Sequence, residues 1–200
     1  DDRALQYLSQ VNFPTALTGT CRYDNIIQVD TDNEGAAEKM TTLLIGKGFR
    51  RFAFLVKNMS YNVDRKRHEG FCRALIKNGI SEKDQLFYNG SIRMEFLDAI
   101  IENIISKKVE CIICGDDEIC TMVMSRLQAE GYRIPKDVAI ASLYNSTNLD
   151  CYSPAVTAVS VAASQMGGAA VRQLIQRLRG ENYEKKTMLD YDILFRKSTN

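Results

Sequence analysis

The sequence predicts an α/β protein in which a parallel sheet is covered by helices on both faces. Of its 200 residues, 45% are hydrophobic and 26% are charged, as in ordinary globular domains. Strand-like segments that are apolar throughout alternate with segments of helical periodicity. Such strands are typical of parallel sheets buried on both faces, because a sheet with one solvated face alternates polar and apolar residues. The length allows one large domain or two small ones.

Helices are predicted where apolar residues recur three and four positions apart and a glycine follows. A short amphipathic stretch with Leu5 and Leu8 comes first. The later helical segments are residues 33–47, 65–78, 94–105, 117–130 and 162–179, and the terminating glycines are Gly48, Gly79, Gly131 and Gly180. Asp117 is expected to cap its helix, because an aspartate side chain accepts hydrogen bonds from the first free N–H groups.

Strands are predicted from short apolar runs between these helices. They are residues 14–18, 26–29, 52–56, 86–88, 109–114 and 138–143, with an extended segment at 188–195. Parallel sheets bind ligands outside the carboxyl ends of their strands, so the residues that follow each strand are candidate site residues. Polar segments follow three of these strands, and we expect Arg67, Asp116 and either Tyr144 or Asn145 to converge.

Nothing in the sequence indicates an enzyme. The glycine-rich loops that hold nucleotides and the G-x-S-x-G elbow are absent, and His68 is the only histidine. The sequence therefore predicts no catalytic residues and no cofactor. Asp116-Asp117-Glu118 has the oxygen ligands of a divalent-cation site, but acidic residues are also usual at a helix N-terminus. We favour the helix terminus for Asp117 and Glu118, and a ligand contact for Asp116.

The six cysteines are expected to be ordinary thiols. Cys111 and Cys114 have the C-x-x-C spacing of zinc and redox motifs, but they lie in an apolar strand. Residues three apart in a strand point to opposite faces, so one metal ion cannot easily bind both. The sequence therefore predicts no metal site, and buried cysteines in a reducing compartment.

The net charge of +1 argues against a nucleic-acid-binding surface on these residues. No apolar run approaches the roughly 20 residues that cross a membrane. The chain starts Asp1-Asp2-Arg3, which is neither an initiator methionine nor a signal peptide. We expect it to be part of a longer protein.

Six segments resemble, in order, motifs of LacI/GalR-type transcriptional regulators. Residues 32–53 are similar to D-N…L-x-x-x-G-H-R-x-I-A, and residues 67–75 (RHEGFCRAL) resemble R-x-x-G-F-x-x-A-L. The others are residues 131–138 (GYRIPKDV, like G-x-x-V-P-x-D-V), 154–159 (PAVTAV, like P-x-L-T-T-V), 166–170 (MGGAA, like L-G-x-x-A) and 196–199 (RKST, like R-x-S-T). The resemblance covers nearly the whole chain.

The resemblance implies a periplasmic binding protein-like type I fold, with two Rossmann-like parallel-sheet subdomains and an effector in the cleft between them. Residues 1–31 and 163–190 would form part of the N-terminal subdomain, which is incomplete in this chain. Residues 32–162 and 191–200 would form the C-terminal subdomain. The family's DNA-binding headpiece would be absent, and operator DNA would be bound through that headpiece.

Several site residues are carried over by this resemblance. Arg67 falls on the family's effector-clamping arginine, and Asp116 on an effector-binding Asn or Asp. Thr18 and Gly19 fall near a contact on the other cleft wall, and Ala163 at a platform position. Tyr144 departs from the family, because it replaces the first aspartate of G-[FY]-D-D. The departure indicates a different effector, or a cleft filled by Tyr144.

The resemblance also implies how the protein acts. A small-molecule effector, such as a sugar or related metabolite, would change the angle between the subdomains and thereby operator affinity. Tyr152 lies beside the segment that the family uses for dimer contact, so we expect a homodimer. The expected location is the cytoplasm. The alternatives are a solute-binding protein of a transport system, an α/β enzyme, and a regulator that answers to a protein partner.

Overall fold

The computed structural model describes residues 2–90 and 94–200. Its helices are α1 (Arg3–Gln10), α2 (Asn33–Gly46), α3 (Asn62–Lys77), α4 (Met94–Ser106), α5 (Asp117–Ala129), α6 (Thr147–Cys151) and α7 (Ala163–Leu178). Its strands are β1 (Ala16–Thr18), β2 (Ile27–Thr31), β3 (Phe52–Val56), β4 (Leu86–Asn89), β5 (Cys111–Cys114), β6 (Ala139–Ser142), β7 (Thr157–Val161), β8 (Lys186–Leu189) and β9 (Tyr191–Leu194). Short 3₁₀ turns lie at Glu82–Asp84 and Lys197–Thr199.

The chain divides into two compact units. The smaller comprises Asp1–Asp32 and Val161–Tyr191, and the larger comprises Asn33–Ser160 and Asp192–Asn200. The smaller unit has a three-stranded sheet in the order β1-β2-β8, with both strand pairs parallel. Val29 of β2 packs there against Ala169 and Ala170 of α7.

A six-stranded sheet in the order β4-β3-β5-β6-β7-β9 forms the centre of the larger unit. The four pairs from β4 to β7 are parallel, and β3, β5 and β6 are buried at every position. Helices α4 and α5 contribute to the main hydrophobic cluster with these strands. The prediction of an α/β fold with a buried parallel sheet is confirmed.

Helices α2 and α3 pack closely against each other, and Gly70 makes this possible. A Cβ atom at Gly70 would lie 2.1 Å from the carbonyl oxygen of Glu34 and 3.0 Å from the Cβ of Ala37. The ring of Phe71, the next residue, stacks on Phe54 of β3 with 4.7 Å between centroids. These contacts fix α3 against the sheet, and α3 carries the predicted site residue Arg67.

The observed elements differ from the predicted ones mainly at their ends. Helix α3 starts at Asn62 rather than at residue 65, and the extended segment 188–195 forms parts of two strands, β8 and β9. The prediction that Asp117 caps α5 is wrong, because Asp116 is the N-cap and its Oδ1 accepts the Ile119 N–H at 2.9 Å. Strand β7 was not predicted. Helix α6 was not predicted either, because five residues are too few to show a helical period.

All six cysteines are free thiols, and Cys111, Cys114 and Cys120 are buried. Burial raises the pKa of Cys111 well above its usual value, so this thiol is neutral at neutral pH. In the described part of the chain, no three His, Cys, Asp or Glu side chains are placed to hold a metal ion. No helix among the described residues is long and apolar enough to cross a membrane.

Candidate functional site

The strand order of the larger sheet indicates where a ligand would bind. Strand β3 is the first strand of this sheet along the chain. In the sheet, β4 lies on one side of β3 and β5 lies on the other. Connections therefore leave β3 and β5 in opposite directions, which opens a crevice outside their carboxyl ends. We call the residues at these ends, 57–67 and 115–118, the carboxyl edge. Arg67 and Asp116 both belong to it.

Gly115 brings the end of β5 close to β3. Its N–H donates to the carbonyl oxygen of Leu55 at 2.7 Å. A Cβ atom at Gly115 would lie 2.9 Å from Cγ1 of Val56 and 3.1 Å from the Leu55 oxygen. Any larger residue would therefore push the two strand ends apart, and with them the side chains of Lys57 and Asp116.

Lys57 and Asp116 form an ion pair across the crevice. Nζ of Lys57 lies 2.8 Å from Oδ2 of Asp116 and 2.5 Å from Oε2 of Glu118. Partial burial opposes the charge of the ammonium group, but the hydrogen bonds to the two carboxylates outweigh it and raise the pKa of Lys57. The other oxygen of Asp116 caps α5. Both of its oxygens therefore have protein partners.

Arg67 is buried within the carboxyl edge. Only 8% of the surface of this residue is exposed. Nε donates to Oδ1 of Asn33 at 3.1 Å, and Nη1 donates to the carbonyl oxygen of Gly115 at 2.5 Å. The guanidinium group thus connects the start of α2 with the end of β5. Its role as an effector clamp stays a prediction.

Asp64 is a member of the carboxyl edge that the sequence analysis missed. It is 3% exposed, and its Oδ2 accepts the N–H of Asn58 at 2.9 Å. Burial is the main cause that raises the pKa of Asp64, while the Asn58 hydrogen bond and the charge of Arg67 oppose it. The sequence contained one signal for Asp64 as a site residue. It is an aspartate in the first turn of a helix that follows a buried strand.

The loop after β6 carries Tyr144 and Asn145. Tyr144 is half-buried, and its backbone is held by Ser142, whose Oγ donates to the Tyr144 carbonyl oxygen at 2.7 Å. Asn145 accepts a hydrogen bond from Nη1 of Arg196 at 2.9 Å, and Arg196 also pairs with Asp150. The RKST segment at the end of the chain therefore anchors this loop.

The remaining predicted site residues have different surroundings. Thr18, Gly19 and Ala163 lie in the smaller unit, at the end of β1 and the start of α7. The Gly19 N–H donates to the carbonyl oxygen of Val29 at 2.8 Å, and Thr18 and Ala163 are exposed. Tyr152 is half-buried, with its hydroxyl 3.1 Å from Oγ of Ser125. These four assignments stay predictions.

His68 does not belong to the candidate site. Its ring lies against Phe87, with 4.2 Å between the ring centroids, and Nε2 is 3.5 Å from Sγ of Cys72. Burial lowers the pKa of His68, which favours the neutral imidazole. His68 therefore lies half-buried at the edge of an aromatic cluster.

A cavity of about 690 Å³ opens at the opposite, amino edge of the sheet. Two ion pairs line it, Arg51 with Glu110 and Arg133 with Asp137, each at 2.8 Å. None of the predicted site residues lines this cavity. Because ligands of open α/β sheets bind at the carboxyl ends of the strands, the carboxyl edge is the better candidate.

Comparison with known proteins identifies the family. Residues 41–199 match the periplasmic binding protein-like domain. The chain belongs to this family. A LacI transcriptional regulator from Bacillus cereus subsp. cytotoxis NVH 391-98 has a similar structure, with a TM-score of 0.89 and 30% identity over 99% of this chain and 72% of that one. The predicted resemblance to LacI-type regulators is confirmed.

Two further comparisons concern one named regulator, CelR. The CelR regulator of Thermobifida fusca is 26% identical over 99% of this chain and 60% of its own length. A structure of a CelR–cellobiose complex has a TM-score of 0.86 and 26% identity, over 99% of this chain and 62% of that one. This periplasmic binding protein-like chain spans 45–60% of the length of the curated relatives it matches.

Proposed function

We propose that this chain is the effector-sensing part of a LacI-type transcriptional regulator. A small molecule, such as a sugar or related metabolite, binds at the carboxyl edge of the larger sheet. Binding favours one conformation of the protein and so changes its affinity for operator DNA. The DNA contacts belong to a separate headpiece, since a net charge of +1 argues against a nucleic-acid-binding surface on these residues.

The observation that carries this proposal is the set of polar groups at the carboxyl edge. Lys57, Arg67 and Asp116 supply an ammonium, a guanidinium and a carboxylate beside the crevice between β3 and β5. Donors and acceptors that lie this close together can bind the hydroxyl groups of a sugar, each of which both donates and accepts. The similarity to the CelR–cellobiose complex supports the same class of ligand.

We further propose that the protein acts as a homodimer in the cytoplasm. The segment around Tyr152 would contribute to the dimer interface, in line with the family resemblance. The similarity to proteins named as transcriptional regulators supports the location in the cytoplasm. Analytical ultracentrifugation of the wild type and Tyr152→Asp tests it. A dimer that the substitution dissociates is expected, and a wild-type monomer at all concentrations would contradict the proposal.

A thermal-melt screen tests the effector site. The ligands are sugars, sugar phosphates, nucleosides and purines, each applied to the wild type, Arg67→Lys and Asp116→Asn. A ligand at 100 times its Kd adds about 2.7 kcal/mol to the folded state. For a chain of this size that corresponds to a Tm increase of roughly 5–10 °C. Arg67→Lys keeps the charge but loses the planar fork that makes two parallel hydrogen bonds.

The expected result is a shift with one compound class that both substitutions reduce. Lys107→Met is the control, because Lys107 is exposed and follows α4, away from the carboxyl edge. A cooperative melt that no compound shifts would contradict effector binding, and would favour a regulator that answers to a protein partner. A shift that survives both Arg67→Lys and Asp116→Asn would place the ligand elsewhere.

A further inference from the structure

The ammonium group of Lys57 lies at the centre of the carboxyl edge. It follows β3 directly, and it contacts two carboxylates that follow β5, those of Asp116 and Glu118. An ammonium group has three N–H donors, and these contacts use two of them. No third partner of this ammonium group is found among residues 2–90 and 94–200, so its third donor can bind a ligand beside the Oδ2 atom of Asp116. A donor and an acceptor 2.8 Å apart therefore lie next to each other in the crevice.

Two cations of the carboxyl edge, Lys57 and Arg67, contact the segment 115–118, and both are engaged with the protein. Lys57 is paired with carboxylates, and Arg67 donates to Asn33 and to the carbonyl oxygen of Gly115. The charge of Arg67 also acts on the buried carboxyl group of Asp64, where it opposes the rise in pKa that burial causes. The positive charges of Lys57 and Arg67 are thus compensated by the protein itself.

The acidic groups decide which ligands this edge tolerates. A phosphate or carboxylate that approached Lys57 would also approach Asp116 and Glu118. Like charges a few ångströms apart repel, more at the mostly buried Asp116 side chain than at the exposed Glu118. A neutral hydroxyl group meets no such penalty. It can accept from the ammonium and donate to the carboxylate while the ion pair stays in place.

We propose that Lys57 and Glu118 act as a charge filter that selects uncharged polyhydroxyl effectors against their phosphate esters. This inference rests on the proposed function and adds two residues to it. Lys57 is a ligand contact that donates to a hydroxyl group of the effector, and Asp116 accepts from the same or the neighbouring hydroxyl. Glu118 is a positioning residue, which holds the ammonium beside Asp116 and supplies the negative charge that repels anions.

Isothermal titration of matched neutral and phosphorylated sugars tests this inference. The probes are cellobiose, maltose, D-glucose with D-glucose 6-phosphate, and D-ribose with D-ribose 5-phosphate. The variants are Lys57→Met and Glu118→Gln. The matched controls are Lys107→Met and Glu102→Gln, which make the same charge changes at exposed positions near and on α4. Arg67→Lys is included because it tests the proposed function without altering the filter.

We expect the wild type to bind a neutral sugar at least about tenfold more tightly than a phosphate ester of the set. Lys57→Met should weaken binding of the neutral sugar by about tenfold, through loss of one charged hydrogen bond. Glu118→Gln should narrow the gap between neutral and phosphorylated probes, and the two control variants should not. A variant of purely structural importance would weaken both classes of probe equally.

Two results would overturn the charge filter and leave the proposed function intact. One is a wild type that binds a phosphate ester as tightly as its neutral sugar. The other is unchanged neutral-sugar affinity in Lys57→Met while Arg67→Lys loses affinity. A wild type that binds none of the sugars or their esters would contradict the charge filter, and the proposed function would be contradicted only if the nucleosides and purines of the melt screen also failed to bind.

Discussion

Replacing Arg67 by methionine tests how the carboxyl edge is held together. Methionine keeps much of the apolar stem but removes the guanidinium group, which donates to Asn33 and to the Gly115 carbonyl oxygen. Each hydrogen bond from a charged donor contributes about 1.5–3 kcal/mol. The buried carboxyl group of Asp64 would also lose a nearby cation.

The expected loss for Arg67→Met is about 3–5 kcal/mol in the free energy of unfolding. At roughly 2–4 °C per kcal/mol, the Tm should fall by about 6–20 °C. The assay is urea unfolding followed by far-UV circular dichroism, because the chain has no tryptophan. Arg67→Lys keeps the charge and should lose less than Arg67→Met.

Arg65→Met is the matched control for this prediction. Arg65 lies two residues earlier in α3, is exposed, and has an ion pair with Glu69 at a distance of 3.8 Å. Exposed ion pairs contribute at most about 1 kcal/mol, so Arg65→Met should be nearly neutral. The reasoning is refuted if Arg67→Met unfolds at the same urea concentration as Arg65→Met, since the guanidinium contacts would then contribute nothing measurable.

Three further predictions follow from other parts of the structure. Gly70→Ala should destabilise the chain by about 1–3 kcal/mol, because the new Cβ would collide with the Glu34 carbonyl oxygen. Gly46→Ala is the control and should not destabilise the chain, because its Cβ would meet no atom within 4 Å. Equal urea midpoints of the two variants would contradict this prediction. The raised pKa of Asp64 means that its contribution to stability is present below the unfolded pKa of about 3.9 and is lost as pH rises through the folded pKa. The wild type should therefore lose stability relative to Asp64→Asn as the pH rises above about 4. Parallel pH profiles of the two proteins in urea unfolding would show that burial of the Asp64 carboxylate has no such cost. Tyr144→Asp should change the compound class that raises the Tm in the melt screen, and an unchanged preference would exclude a role for Tyr144 in effector choice.

The local sequence was sufficient to predict the bounds of a strand in which every residue is buried. Strand β3 has the predicted bounds, because five apolar residues lie between charged neighbours and every one is buried. Helix α5 was predicted one residue too late at its cap, because Asp116 and Asp117 are equally good caps by type and only the backbone direction after β5 chooses between them. The rule that ligands bind after strand ends selected Asp116 correctly as a carboxyl-edge residue.

The sequence by itself determined the alternation of strands and helices, the parallel sheet, the family resemblance and the position of Asp116 after a buried strand. The tertiary structure alone decided the strand order, and with it the crevice between β3 and β5. It also brought Lys57 to Asp116 and Arg67 to Gly115, across 59 and 48 positions of the chain respectively. Hydrophobic periodicity indicates which face of a helix or strand is buried. Ion pairs between strand ends depend on which strands are neighbours, and the strand order is decided only when the whole sheet assembles.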